Sequence, residues 1–169
     1  MFASNLVAAA DDTLNAARRH GALITTVESC TGGLVGAVLT SVPGSSDAVY
    51  GGFITYSNEA KARLGVPAAL IERHGAVSKE VARAMAEAGA AAVGGRTVAL
   101  AITGVAGPGG GSPDKPIGLV HFAAHFDGVT LHTRHEYGDI GRDDVRAVSA
   151  LEALSLTIRA LDQRGSPAI

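Results

Sequence analysis

The sequence predicts an α/β fold, a mixed sheet with helices on both of its faces, and three observations lead there. Helix-like and strand-like stretches alternate through residues 5–102, the pattern that builds strands joined by crossover helices. Late in the chain the pair Asp127-Gly128 separates two strand-like runs, a hairpin signal that adds antiparallel strands to the sheet. Hydrophobic residues make up 47% of the chain but aromatics only 4%, and the alanine-rich remainder suits close helix packing rather than an aromatic binding surface.

In order along the chain, residues 5–20 place Leu6, Ala9, Ala10, Leu14 and Ala17 at helical spacing, and Gly21 is a suitable stop. Residues 22–27 read as a short buried strand, and 34–42 as the next helix, with Gly32 and Gly33 allowing close backbone approach between them. Pro43-Gly44-Ser45-Ser46 marks a turn, and 49–56 forms a second strand. Ser57 or Asn58 can cap a helix over 59–64, residues 67–74 suggest another, and Ser78 can cap an alanine-rich helix reaching Val93. Residues 97–102 read as a buried strand, followed by a glycine–proline loop over 104–116. The hairpin strands span 117–126 and 129–137. An amphipathic helix over 143–161 closes the fold, with a short disordered tail after it.

The bulk properties narrow the function classes. A chain of 169 residues with no internal linker reads as one domain over 1–165. A net charge of −2 and the lack of a Lys/Arg block argue against nucleic acid as a partner. The start has no signal-peptide pattern, and no apolar run reaches the ~20 residues of a spanning helix, so a soluble, cytoplasmic protein is expected. Cys30 is the only cysteine, which excludes an intrachain disulfide.

The segment richest in chemistry is Glu28-Ser29-Cys30-Thr31-Gly32-Gly33, at a strand-to-helix junction. Such a turn presents a hydroxyl beside the first, unpartnered N–H groups of a helix, so a nucleophile and an oxyanion site can come from neighbouring residues. The plain alternative is that Ser29 is a helix cap. In Tyr56-Ser57-Asn58-Glu59-Ala60-Lys61 a lysine falls in the first helical turn, where the helix dipole disfavours a cation. Its pKa is expected to fall, more so with burial, and a neutral lysine can take a serine proton; a solvated surface lysine is the alternative. The loop Thr103-Gly104-Val105-Ala106-Gly107-Pro108-Gly109-Gly110-Gly111-Ser112 follows a buried strand, where open α/β sheets collect ligands. It is neither a Walker loop nor a full dinucleotide fingerprint, and a plain surface turn fits it equally well. Arg142 and Arg146, four apart on one helix face, can grip a phosphate or pair with Asp143 or Asp139. His121, His125, His132 and His135 lack a carboxylate or cysteine at ligand spacing and read as cross-strand packing rather than a metal site. Cys30 is expected to point into the core, and the Gly-x-Ser-x-Gly elbow is absent.

Taken in order, the Glu28 to Gly33 and Tyr56 to Lys61 motifs, Gly75-Ala76-Val77-Ser78, Gly104-Val105-Ala106-Gly107-Pro108 and Lys115-Pro116-Ile117-Gly118 resemble the CinA C-terminal domain family, the nicotinamide-nucleotide amidohydrolases. The resemblance covers nearly the whole chain. It implies a three-layer α/β/α sandwich, often dimeric, and deamidation of nicotinamide mononucleotide to nicotinic acid mononucleotide and ammonia, with no metal or cofactor. Carried onto this chain, it implies Ser29 as nucleophile and Lys61 as base, with Tyr56, Asn58 and Thr103 lining the pocket and Gly104 beside them. Arg142 and Arg146 match arginines near the substrate phosphate. The expected reaction is acyl transfer to Ser29, with the N–H groups of Thr31, Gly32 and Gly33 holding the oxyanion. Two rivals are a non-catalytic nucleotide-binding module of the same fold and an amidase for another carboxamide.

Overall fold

The computed structural model describes residues 2–163, so the tail expected at the C-terminus lies outside the described residues. The elements in order are α1 (Ser4–His20), β1 (Leu23–Glu28), α2 (Leu34–Thr40), a 3-10 turn (Ser45–Asp47), β2 (Val49–Ile54), α3 (Asn58–Leu64), α4 (Ala68–His74), α5 (Lys79–Val93), β3 (Thr97–Gly104), β4 (Leu119–Phe126), β5 (Val129–Glu136) and α6 (Arg142–Asp162). The predicted pattern is present throughout, with no boundary shifted by more than two residues; α2, for example, stops at Thr40 rather than Val42.

Local chemistry accounts for the ends of these elements. Gly21 takes the left-handed conformation (φ 59°) that closes α1. Ser57 caps α3 and Ser78 caps α5, each hydroxyl accepting a hydrogen bond from a backbone N–H three residues on (Ala60 at 3.0 Å, Val81 at 3.3 Å). Asp127 and Gly128 both have positive φ, 47° and 79°, the backbone that a two-residue hairpin of right-handed twist requires.

The five strands form one mixed sheet in the order β2-β1-β3-β4-β5. β1 is parallel to β2 and β3, and β3, β4 and β5 are mutually antiparallel neighbours. Because successive strand residues face opposite ways, the sheet supports two cores. Ile24, Leu100, Ile102 and Phe122 pack on one face with α1, α2 and α6 residues such as Leu14, Leu39 and Leu154. Val27, Ala101 and Ala123 pack on the other with Val81, Met85 and Ala86 of α5. The result is a three-layer α/β/α sandwich with a mixed sheet. Close approach of α5 to β1 depends on Gly89, where a Cβ would collide with Val27 Cγ2.

This order places a crevice before any side chain is considered. The chain leaves β1 through α2 to reach β2 on one side, then returns through α3, α4 and α5 to β3 on the other side of β1. Connections departing to opposite faces open a gap at the carboxyl ends of β1 and β3. Ser29 follows the end of β1, and Thr103 and Gly104 end β3.

Candidate active site

Ser29 and Lys61 meet in that crevice. Lys61 Nζ lies 2.9 Å from Ser29 Oγ and donates to the Thr55 carbonyl at 2.7 Å. Lys61 is only 1% exposed, which removes the solvated-lysine alternative. No carboxylate pairs with it among the described residues, and burial pushes its pKa below the ordinary lysine value. Lys61 falls in the last turn of the seven-residue α3 rather than in its first, so burial and not the helix dipole lowers its pKa. Ser29 does not cap α2: its hydroxyl faces Lys61, and Gly33 stands at the cap position.

The turn that carries Ser29 is held from several directions. The Ser29 N–H donates to Ile102 O at 2.9 Å, the Gly32 N–H to Ser29 O at 3.1 Å, and the Thr55 N–H to Glu28 O at 2.8 Å. Arg146 of α6 donates from Nη2 to the Thr31 carbonyl at 2.9 Å. Glu28, 1% exposed, turns its carboxylate to the start of α2 and accepts from the N–H groups of Gly33 (3.0 Å), Val35 (3.1 Å) and Gly36 (2.8 Å).

These contacts correct two expectations. The N–H groups of Gly32 and Gly33 are already committed to Ser29 O and to Glu28, so they are not available to an oxyanion. The donors left free at the turn are the N–H groups of Cys30 and Thr31, which have no hydrogen-bond acceptor among the described residues. Arg146, expected near a phosphate, braces the Thr31 carbonyl, with Asp143 Oδ1 3.6 Å from its Nη1.

The cavity around the pair measures about 240 Å³ and is lined by Tyr56, Ala76, Val77, Thr103, Gly104 and Arg142 besides Ser29, Cys30 and Lys61. Thr103 is buried, and its hydroxyl donates to Ala76 O at 2.8 Å. Gly104 must be small, since a Cβ there would lie 2.8 Å from Leu119 O and 3.0 Å from Val120 Cα. Arg142 bonds neither nearby aspartate; it donates to Tyr56 Oη and to Gly107 O, both at 2.9 Å, linking the edge of β2 to the glycine loop. Asn58 is the residue the structure sets apart. At the first position of α3 it is exposed and borders a separate surface depression with Glu59, Ala62 and Ile71, because the start of a helix capped by Ser57 faces solvent.

Other groups fall into supporting places. Cys30 is 6% exposed and packs in the core of the α6 face; burial pushes its thiol up to about 12, so it stays protonated and is a poor nucleophile. His121 Nδ1 and His132 Nε2 lie 3.1 Å apart across the β4–β5 pair, and burial with its neighbouring cations holds His121 down at about 4. His135 lies on the opposite sheet face, stacked on Tyr137 and 3.6 Å from Glu152, so the four histidines do not form one cluster. Glu28, Thr55 and Val77 are the site residues that sequence reasoning gave no role. Glu28 stood inside the quoted motif, but nothing in a sequence tells which face of the turn its carboxylate takes.

Comparison with known proteins gives this arrangement a lineage. The family model of the CinA C-terminal domain matches residues 7–161. A CinA-like protein of Geobacter sulfurreducens is 47% identical over 163 residues, covering 92% of this chain and 39% of the relative. A CinA-like protein of Mycobacterium tuberculosis is 50% identical over 158 residues, covering 92% and 36%. The chain thus spans little more than a third of the length of these relatives. Among solved structures, the competence/damage inducible protein CihA of Agrobacterium tumefaciens superposes with a TM-score of 0.91 at 41% identity, covering 96% of this chain and 99% of that one. The competence damage-inducible protein A of Klebsiella pneumoniae gives 0.87 at 32% identity, with 94% and 98% covered. By sequence over almost its whole length, and by a fold it shares with these structures, the chain belongs to the CinA C-terminal domain family.

Proposed function

We propose that this chain is a serine amidohydrolase that deamidates nicotinamide mononucleotide to nicotinic acid mononucleotide and ammonia. The observation that carries the reading is the 2.9 Å approach of Ser29 Oγ to a buried lysine that has no carboxylate partner among the described residues. Burial shifts Lys61 toward its neutral form, and a neutral amine can accept the serine proton, which turns a hydroxyl into a nucleophile. The substrate follows from the family resemblance. The small cavity with one cation at its edge agrees with a carboxamide ring bearing an anionic group.

In this mechanism Lys61 Nζ takes the Ser29 proton as Oγ attacks the carboxamide carbon. The oxyanion forms beside the N–H groups of Cys30 and Thr31. As the C–N bond breaks, Lys61 returns the proton to the leaving nitrogen and ammonia departs, leaving an ester on Ser29. Water then attacks that ester, its proton passes through Lys61 to Ser29 Oγ, and the free acid leaves. Tyr56, Thr103 and Gly104 shape the ring pocket, and Arg142 exchanges its bonds to Tyr56 and Gly107 for the substrate phosphate. No metal or cofactor enters any step. The substrate is a cytoplasmic nucleotide, so we infer a cytoplasmic enzyme, and from the resemblance a homodimer; among the described residues no helix is long and apolar enough to cross a membrane.

Purified protein given nicotinamide mononucleotide is expected to release ammonia, and Ser29→Ala and Lys61→Ala each to abolish that release. Ammonia release by Ser29→Ala at the wild-type rate would end this mechanism. Nucleotide binding with no turnover by the wild type selects a non-catalytic binding module instead. Equal turnover of nicotinamide riboside removes the phosphate role of Arg142.

A further inference from the structure

Among the described residues Glu28 is the one fully buried carboxylate, and the mechanism above does not use it. A buried charge is costly to keep unless its hydrogen bonds are complete, and Glu28 completes them with three backbone N–H groups, from Gly33, Val35 and Gly36. Capping a seven-residue helix does not call for a glutamate from the preceding strand. A serine or aspartate at the cap position, where Gly33 stands, does that at lower cost.

What the strand glutamate adds is geometry. Glu28 and Ser29 are consecutive, so a side chain anchored on the α2 side directs its neighbour to the α3 side, where Lys61 waits. The same carboxylate ties the far end of the turn, Gly33 to Gly36, back to its near end. Between those two ends run only Ser29, Cys30, Thr31 and Gly32, and Gly32 and Gly33 hold left-handed φ values of 58° and 93°, a shape the chain does not keep unaided. Glu28 also neutralises the start of α2, which leaves Cys30 and Thr31 as the N–H donors nearest the nucleophile.

We infer that Glu28 is a positioning residue for Ser29: its carboxylate, bonded to the N–H groups of Gly33, Val35 and Gly36, sets the turn that holds Ser29 Oγ against Lys61 Nζ. This rests on the reading of Ser29 as the nucleophile. The test therefore measures that nucleophile without the proposed substrate. A small alkyl fluorophosphonate reacts when Oγ forms a bond to phosphorus, fluoride leaves, and Lys61 takes the serine proton. The rate of labelling at Ser29, read by intact mass and peptide mapping, reports the reactivity of Oγ alone.

Glu28→Gln keeps the side chain's shape but loses the charge and turns an amide N–H₂ toward backbone donors. It is expected to label about a hundredfold more slowly, the scale set by a displacement of ~1 Å at a reacting atom. Measured well below the melting transition, nicotinic acid mononucleotide binding by calorimetry is expected to stay within about twofold of the wild-type value, because Tyr56, Thr103, Gly104 and Arg142 of the lining sit outside the turn. A merely structural role predicts the reverse, a lower melting temperature with normal labelling of the folded protein, and that result overturns the inference. If Glu28→Gln does not fold, Glu28→Asp answers in its place. It retains the charge, falls one methylene short of the donors, and is also expected to label more slowly; labelling at the wild-type rate overturns the inference as well. Absence of labelling at Ser29 in the wild type removes the nucleophile reading, and this inference with it, while slow variants beside a reactive wild type support both.

Discussion

The turn over residues 28–36 and the loop over 104–118 both border the Ser29 cavity, and they are built in opposite ways. In the turn Glu28, Ser29, Cys30, Thr31 and Val35 are buried, and strands β2 and β3, helix α6 and the Glu28 carboxylate all bond its backbone. The loop exposes residues 108–114 and is tied down at few points. These are the Val105 and Gly118 ladder bonds, the Leu119 N–H on Pro116 O, the Ser112–Lys115 pair, Arg142 on Gly107 O and Lys115 Nζ on His74 O. The contrast teaches a division of labour. Attack at a carbonyl tolerates little displacement, so the nucleophile sits where every neighbour over-determines it. Fitting a substrate requires adjustment, and segments with few buried contacts supply it.

The comparison can be broken hardest at Lys61. Lys61→Met removes the base and is expected to lower amide hydrolysis by about 10⁴-fold, while the melting temperature holds or rises, since an apolar side chain replaces an unpaired buried amine. The pH dependence separates the two effects. Folding depresses the Lys61 pKa, so between that lowered value and 10.5 this group binds more protons in the unfolded chain than in the folded one, and its contribution to stability rises with pH across the window. Below it the destabilisation is present in full. Burial holds Cys30 and Tyr137 up at about 12 in both proteins, which lowers stability with pH over the same range. In thermal melts at several alkaline pH values, the gap by which Lys61→Met exceeds the wild type is therefore expected to narrow as pH rises. Rates of the wild type are expected to climb with pH through the same lowered pKa.

A smaller effect is expected where the loop leaves the sheet. Gly104→Ala drives a methyl toward backbone atoms of Leu119 and Val120, for a loss of about 1–3 kcal/mol in chemical denaturation. Next comes the link between the two halves of the cavity. Arg142→Ala breaks the bonds to Tyr56 and Gly107, with KM expected to rise about tenfold, the worth of one charge-assisted hydrogen bond, and kcat nearly unchanged. Smallest is the exposed tip, where the Ser112 hydroxyl accepts from the Lys115 N–H and has no other partner among the described residues. Ser112→Ala is expected to change stability by about 0.5 kcal/mol or less. A large loss of activity in that last variant means that the loop is not the adaptable half.

Much of this was legible because local signals are short-range. Gly21, Ser57, Ser78 and Asp127-Gly128 act within a few residues, through left-handed backbone, capping hydroxyls and a two-residue turn, and the structure has each of them in its expected role. The segment over 97–102 likewise read as a buried strand, and β3 is covered on both faces. Long-range pairing was not legible in the same way. That Arg142 would choose Tyr56 and Gly107 over Asp139 or Asp143, that Arg146 would brace Thr31, and that Asn58 would face solvent all depend on which elements lie side by side. The Gly32 and Gly33 N–H groups were misassigned for that reason: a helix start is an open anion site only until some other group fills it.

The sequence by itself determined the elements, the hairpin, the two apolar faces of the sheet and a serine at a strand end, since each depends on the periodicity or conformational preference of a few adjacent residues. Only the tertiary structure decided that Lys61, 32 residues from Ser29 along the chain, is buried against it, and that Glu28 rather than a ligand occupies the start of α2. The reason is that burial and desolvation belong to the assembled layers: β2 and α3 must dock on β1 before a lysine that reads as solvated becomes a desolvated amine 2.9 Å from a hydroxyl.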